Sequence, residues 1–391
     1  MKKVFVSCKY KDTQRLLKNI VRNHYKSIKY FRAPCYNCVS PVFAPPLPYT
    51  VRWKGSVTMR QTIAAALALL MLLFLPPWLR AEEPAPREDA SPQPLQTQQA
   101  APEDGAGSDA AHTLRLWDGS AVRTLTAAEY LPGVVRGEMP AAFEEEALKA
   151  QAVAERTYLY YRMADGAKTA HPDADVCTDS HCCTAWLSEE DARAKWGDKF
   201  DQYEAKIQQA VRDTDGQVAL YDGAPIMAVF HSSSAGSTAA SGDVWTAELP
   251  YLVSVKSPEE ADSVPNYYSV NTFTAEKFRD IFRKAHADAQ LTGDCGGWVK
   301  DILLTDAGRV ASATVGGVSV TGKELRSLFG LRSAAFTVEA AGDAITFHVT
   351  GYGHGVGMSQ YGANALAKEG KTWREILQWY YTGVTIGLYN G

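Results

Sequence analysis

From residue 113 onward, apolar positions recur at two different spacings, separated by Gly, Pro and Asp. Thr113–Trp117 reads as a short strand. Thr126 and Glu129 form a capping-box pattern, with Leu125 and Tyr130 as the staple, and predict a helix opening there. Pro132 is expected to kink or shorten that helix. Met139 precedes Pro140, and a residue before proline is pushed toward extended geometry. The helix should therefore stop and leave Glu138 in a Gly-Glu-Met-Pro loop. A second helix follows Pro140 and runs to about Met163, burying Leu148, Ala152 and Leu159 opposite Glu145.

Further along, 188–212 reads as one helix leading into a hairpin. Its strands are 217–221 and 225–230, around the type I′ pair Asp222-Gly223. Strands are expected at 299–304, 310–315 and 336–349, and short capped helices begin at Thr321 with Glu324 and at Thr372 with Glu375. Helices and antiparallel strands alternate without βαβ regularity, which predicts an α+β fold.

The chain has 391 residues, 46% of them hydrophobic, enough to bury a core in one large or two modest domains. A net charge of −4 offers no basis for nucleic-acid binding. Locally the charge is uneven: the first sixty residues hold about a dozen Lys and Arg against one acid, Asp12. An apolar run follows at 63–79, broken near its end by Pro76 and Pro77. It fits a membrane anchor or a signal-peptide core; the weak cleavage pattern around Ala81 favours the anchor. Basic residues before it and Glu82 and Glu83 after it place the remainder outside the cytoplasm. This divides the chain into four parts. Residues 1–58 are a basic cytoplasmic segment, or an extension upstream of a true start at Met59. Residues 59–80 are the anchor or signal, 81–111 a disordered Pro- and Gln-rich tether, and 112–391 the folded domain.

Several groups carry candidate chemistry. Lys149 and Arg156 lie two helical turns apart and share a face, following the acid Glu138. A single acid beside two cations suits proton donation to a leaving group on an anionic or carbonyl-rich substrate. The run 171–183 gathers His171, Cys177, Cys182 and Cys183, with His181 as a fifth donor. Such a set suits tetrahedral zinc in a structural role, and a disulfide is the competing reading. His231 followed by Ser232, Ser233 and Ser234 lacks a nucleophile elbow and reads as a loop. Gly351, Gly353, Gly355 and Gly357 miss the dinucleotide fingerprint and instead permit close packing. They leave His354 either in a core or facing a cleft with Gln360 and Tyr361.

Three segments, at 131–162, 230–255 and 351–363, resemble the stage II sporulation protein D family in their order along the chain. The resemblance implies a membrane-bound lytic transglycosylase that cuts peptidoglycan glycan strands during forespore engulfment, beside an amidase-endopeptidase partner that strips stem peptides first. It implies Glu138 as acid and base, and Lys149, Arg156, Ser233, His354, Gln360 and Tyr361 as substrate contacts. One acid suffices there, because the muramic acid 6-hydroxyl attacks its own anomeric carbon in place of water. Clostridial relatives carry a similar zinc loop with His where Cys182 stands, and Ala235 replaces a glycine of the family's Ser motif. The same domain also occurs in amidase enhancers, which implies a non-catalytic alternative.

Overall fold

The computed structural model describes residues 107–164 and 173–389. The expected membrane anchor, most of the tether and His171 lie outside these residues. Strand β1 (Thr113–Trp117) pairs antiparallel with β2 (Val122–Thr126). Thr126 then caps α1 (Ala127–Glu138) through the expected capping box with Glu129. Pro132 neither shortens nor ends α1. It costs one ladder bond near the first turns, and the helix packs its buried Leu131, Val134 and Val135 against its neighbours. Glu138 is accordingly the last helical residue rather than a loop residue, and Met139 turns extended (φ −113, ψ 138) before Pro140.

Helix α2 (Glu145–Ala164) is the axle of the first core, touching α1 and several elements that follow. Its Ala147, Ala150, Ala152 and Ala154 are fully buried, and such short side chains let neighbouring helices approach closely. Burial runs nearly all round the helix, so the expected single stripe is too narrow a description: Gln151, Glu155 and Arg156 are interior too. Next comes β3 (Val176–Cys177), parallel to β1. The single helix expected over 188–212 is two, α3 (Glu189–Trp196) and α4 (Phe200–Arg212), broken where Gly197 takes a positive φ of 53°.

The hairpin forms as expected around Asp222 and Gly223, both at positive φ, joining β4 (Gln217–Tyr221) to β5 (Ala224–Pro225). β5 is only two residues long, and after Pro225 the Ile226 N–H still donates to the Ala219 carbonyl at 3.1 Å. After β6 (Phe230–His231) and the one-turn α5 (Ser241–Val244), the chain builds a second core of its own. That core holds β7 (Tyr268–Thr274), α6 (Ala275–Ala285), β8 (Val299–Leu304), β9 (Val310–Val315), β10 (Val318–Thr321), α7 (Gly322–Phe329), β11 (Phe336–Ala341) and β12 (Ala344–Thr350). Two antiparallel sheets, ordered β10-β9-β8 and β11-β12-β7, enclose Phe278, Phe329 and Phe347, with the first two rings stacked 4.5 Å apart. The strand expected over 336–349 is thus a hairpin, turned at Gly342 (φ 58°).

The chain returns to the first core through β13 (Met358–Ser359), which pairs parallel with β6. It closes with α8 (Gln360–Lys368), α9 (Trp373–Tyr380) and β14 (Thr385–Leu388), the last pairing with β4. The fold is α+β, with the second core inserted into the first.

Candidate functional site

Glu138 is placed by glycine. Gly133 and Gly137 lie one turn apart on α1, and 184–187 runs directly across that face. A Cβ at Gly137 would stand 2.5 Å from the Ala185 carbonyl oxygen, and Leu187 N–H donates to the Gly133 carbonyl at 3.0 Å. This close approach delivers the Ala185 N–H to Glu138 Oε1 at 2.5 Å. Burial lifts the Glu138 carboxyl above the usual range, and that N–H opposes the rise. Beside it lies a pocket of about 320 Å3, lined by Arg136, Lys195, Trp196 and Tyr203 as well as Glu138. The two aromatic rings meet edge to face at 5.6 Å.

A second carboxyl stands behind the first. Glu155, on α2, is 2% exposed and accepts a hydrogen bond from Gln151 Nε2 at 3.0 Å. Burial first, then the charge of Glu138, raises its pKa well above 4.5; hydrogen bonds from Gln151 and the Thr184 side chain pull the other way. The adjacent residues Thr184 and Ala185 therefore hold one carboxyl each.

Helix α8 fixes the far side of this loop. Gln360 Nε2 donates to the Glu138 carbonyl at 3.0 Å, Asn364 Oδ1 accepts the Glu144 N–H at 2.8 Å, and Tyr361 meets Phe143 edge to face at 4.9 Å. Gln360 and Tyr361 are thus brought to the acid's segment. Other expected contacts are not. Arg156 is 0% exposed, its fork closed on Asp109 by two hydrogen bonds of 2.6 Å. With further contacts to the Val211 and Gln217 carbonyls, it is an interior ion-pair residue rather than a substrate contact. Asp109 also moves the domain boundary, since it is buried although 107–111 reads as tether.

Lys149 bridges Glu146 and Asp213, each at 3.0 Å. Burial works against its charge, and the two carboxylates outweigh it and raise its pKa. Ser233 is 1% exposed and exchanges backbone hydrogen bonds with Tyr352, which puts it in a seam between loops and off the surface. Ser234 does touch His231 Nε2 at 2.9 Å, but it is fully buried, so a substrate has no access to that pair. His354 lies on a different pocket, its Nδ1 accepting from Val356 N–H at 3.1 Å. Burial, then Arg326 and Arg309, hold its pKa down to about 4.

The sulfur atoms of Cys177, Cys182 and Cys183 lie within 4.8 Å of one another. Tetrahedral bonds of about 2.3 Å would set such atoms about 3.8 Å apart, so a small contraction closes the set on a soft cation. Burial pushes the Cys183 thiol up to about 12, and only a bound cation would make a thiolate comfortable there. His181 is turned to solvent, 92% exposed, with Nδ1 against Asp179. The structure therefore gathers Cys182 and leaves His181 out. Cys295 is buried in the second core, against the Gly342 carbonyl at 3.4 Å.

Residues 118–221, which hold Glu138 and the three cysteines, match the stage II sporulation protein family. Over 269 residues the chain is 38% identical to stage II sporulation protein D of Bacillus subtilis, covering 68% of this chain and 75% of that protein. The chain belongs to the stage II sporulation protein D family. Its relative in Bacillus amyloliquefaciens is also 38% identical, over 266 residues, 68% of this chain and 75% of that protein. The amidase enhancer of Bacillus subtilis is 29% identical over 306 residues, 66% of this chain and 40% of that protein.

Sequence reasoning on this family member missed Glu155, Trp196 and Tyr203. Glu155 sits where a helix read as one-faced is buried on all sides. Trp196 was hidden by the unseen break at Gly197, which brings the end of α3 to the pocket. The glycine arrangement yields a direct test. Gly137→Ala should force 184–187 off α1, break the Ala185–Glu138 hydrogen bond and cost about 1–3 kcal/mol of stability. Chemical denaturation measures the loss; an unchanged midpoint would mean that the segment moves aside freely.

Proposed function

We propose that the protein is a lytic transglycosylase that cleaves peptidoglycan glycan strands during sporulation engulfment, with Glu138 as acid and base. The observation that carries this reading is the pairing of Glu138, raised by burial beside an aromatic-lined pocket, with a second carboxyl that is interior and out of reach of the pocket wall. A water-using glycosidase needs that second carboxyl ionised, as base or nucleophile. Glu155 is interior, and burial raises its pKa well above 4.5, which works against either role.

In the proposed reaction Glu138 gives its proton to the glycosidic oxygen as the bond to the muramic acid anomeric carbon breaks, and the leaving sugar departs as an alcohol. The muramic acid 6-hydroxyl attacks that carbon and passes its proton to the Glu138 carboxylate. This closes a 1,6-anhydro ring and restores the acid. The intramolecular nucleophile replaces activated water. Trp196 and Tyr203 offer faces on which sugar rings can stack.

Cys177, Cys182 and Cys183, with His171, would hold a structural zinc that orders 173–185. The apolar run 63–79 would anchor the chain with its domain outside the cytoplasm, and the partner would be an amidase-endopeptidase that strips peptides first. The relation to an amidase enhancer supports a second reading, a glycan-binding helper without cleavage. Incubation with peptide-free glycan strands and mass analysis of the products separates these. Anhydro-muramic ends establish the transglycosylase, ordinary reducing ends a hydrolase, and intact strands the helper.

The zinc reading has its own test. One residue, Thr184, separates Cys183 from Ala185, whose N–H donates to Glu138, so loss of the metal should loosen that hydrogen bond. Chelation is expected to lower the melting temperature by about 5 °C, as for a loss of roughly 2 kcal/mol in a domain of this size, and to reduce cleavage in parallel. Elemental analysis of protein purified without added metal should find one zinc per chain. Metal-free protein with unchanged melting would end the proposal.

A further inference from the structure

A second pocket, of about 550 Å3, is larger than the one beside Glu138 and shares no wall residue with it. It lies between the loop around α5 and the second core, and its wall carries three cations, Arg309, Lys323 and Arg326. Against them stands one acid, the exposed Asp243. His354 is neutral there and Trp245 packs against its ring at 5.3 Å.

Arg309 is the unusual member. It is 3% exposed, and of its guanidinium nitrogens only Nη2 has a partner, the Gly353 carbonyl at 3.0 Å. Nε and Nη1 are buried without a hydrogen-bond partner among the described residues. Unsatisfied buried donors are costly, the more so when charged, so a fold that keeps them has a use for them. The cradle is specific, because a Cβ at Gly355 (φ 86°) would stand 2.4 Å from Nη1, so only glycine admits the guanidinium. Burial and the nearby charge of Arg326 press the Arg309 pKa down to about 10, a strain that an anion would relieve. Lys323, in the first turn of α7 behind the Thr321 cap, adds charge at a helix N-terminus, where an anion is also favoured.

We propose that this pocket is a carboxylate-binding subsite that receives a free lactyl carboxylate of the glycan. The choice of carboxylate rests on peptidoglycan being the substrate; the anion site itself does not. A planar carboxylate matches the two open N–H positions of a guanidinium fork, and Trp245 supplies an apolar wall for the attached sugar. A lactyl carboxylate is free only where the stem peptide has been removed, since the amide bond otherwise consumes it. The pocket would therefore read whether the strand has been stripped.

Calorimetric titration of the full chain with N-acetylmuramic acid, its methyl ester and inorganic phosphate tests this. The acid is expected to bind at least tenfold more tightly than either the ester or phosphate, and the Arg309→Gln variant to lose that preference. Because a buried Arg309 substitution can unfold the chain, the Lys323→Gln/Arg326→Gln double variant serves as a second arm, with a tenfold loss expected. Equal binding of acid and ester, or no binding of the acid, overturns the subsite. Phosphate binding as tightly as the acid overturns the carboxylate assignment in favour of a phosphate polymer. The Glu138→Gln variant should keep full affinity for the acid. Wild-type chain that binds the acid but cuts no glycan would refute the transglycosylase and leave the subsite standing.

Discussion

Glu138→Gln is expected to lose about 10²–10⁴-fold in cleavage rate while still binding glycan. The amide matches the carboxyl in size and can accept from the Ala185 N–H, so the loop should keep its shape. What disappears is the proton that the leaving oxygen must receive. The proposed acid step would need Glu138 protonated, and its pKa is raised by burial. The wild-type rate should accordingly fall as pH rises through that raised value, with an alkaline limb that begins above the ordinary glutamate range. Glu155→Gln should behave differently, because burial already favours the neutral form of its carboxyl. It should retain most activity at neutral pH. It should also lack one source of instability: a carboxyl raised on folding loses stability as pH climbs from the unfolded value toward the folded one. Cleavage kinetics and melting of the two variants across pH measure both effects. Full turnover by Glu138→Gln would move the acid to another residue.

Local rules made much of the first core legible in the sequence. Both Thr-x-x-Glu capping boxes form as read, at Thr126 and at Thr372, because each needs only four consecutive residues. The Asp222-Gly223 turn and the extended Met139 follow from backbone sterics of the same short range. The failures occur where distant chain decides. Arg156 shares its helix face with Lys149, yet whether a helical cation meets solvent or an acid depends on what packs there, and Asp109 is 47 residues away. Ser233 is expected as a substrate contact, but its backbone pairing with Tyr352, more than a hundred residues on, puts it in a buried seam. Glu155 is invisible for the same reason: a glutamate on a helix gives no sign that four other helices will pack around that helix. The clustering of the three cysteines was legible because they lie within seven consecutive positions, and short loops bring such neighbours together by themselves.

The interior role of Arg156 leads to the largest expected stability effect. Arg156→Met should cost about 3–5 kcal/mol, because it leaves Asp109 buried without its cation. Asp109 would then retain Asp215 as a neighbour, which raises its pKa, and lose the guanidinium, which lowers it. Its folded pKa, already raised by burial from 3.8, should climb further. A carboxyl raised on folding contributes its full stability below the unfolded value and loses it as pH rises toward the folded one. The gap between wild type and variant should thus be smallest near pH 3.8 and widen toward neutrality. Urea denaturation at both ends of that range measures it. Adding Asp109→Leu to Arg156→Met should restore much of the loss, since it replaces an unpaired charge with apolar volume. A substrate-contact role predicts the opposite pattern, a lowered kcat/KM with an unchanged melting temperature and no rescue by the second substitution.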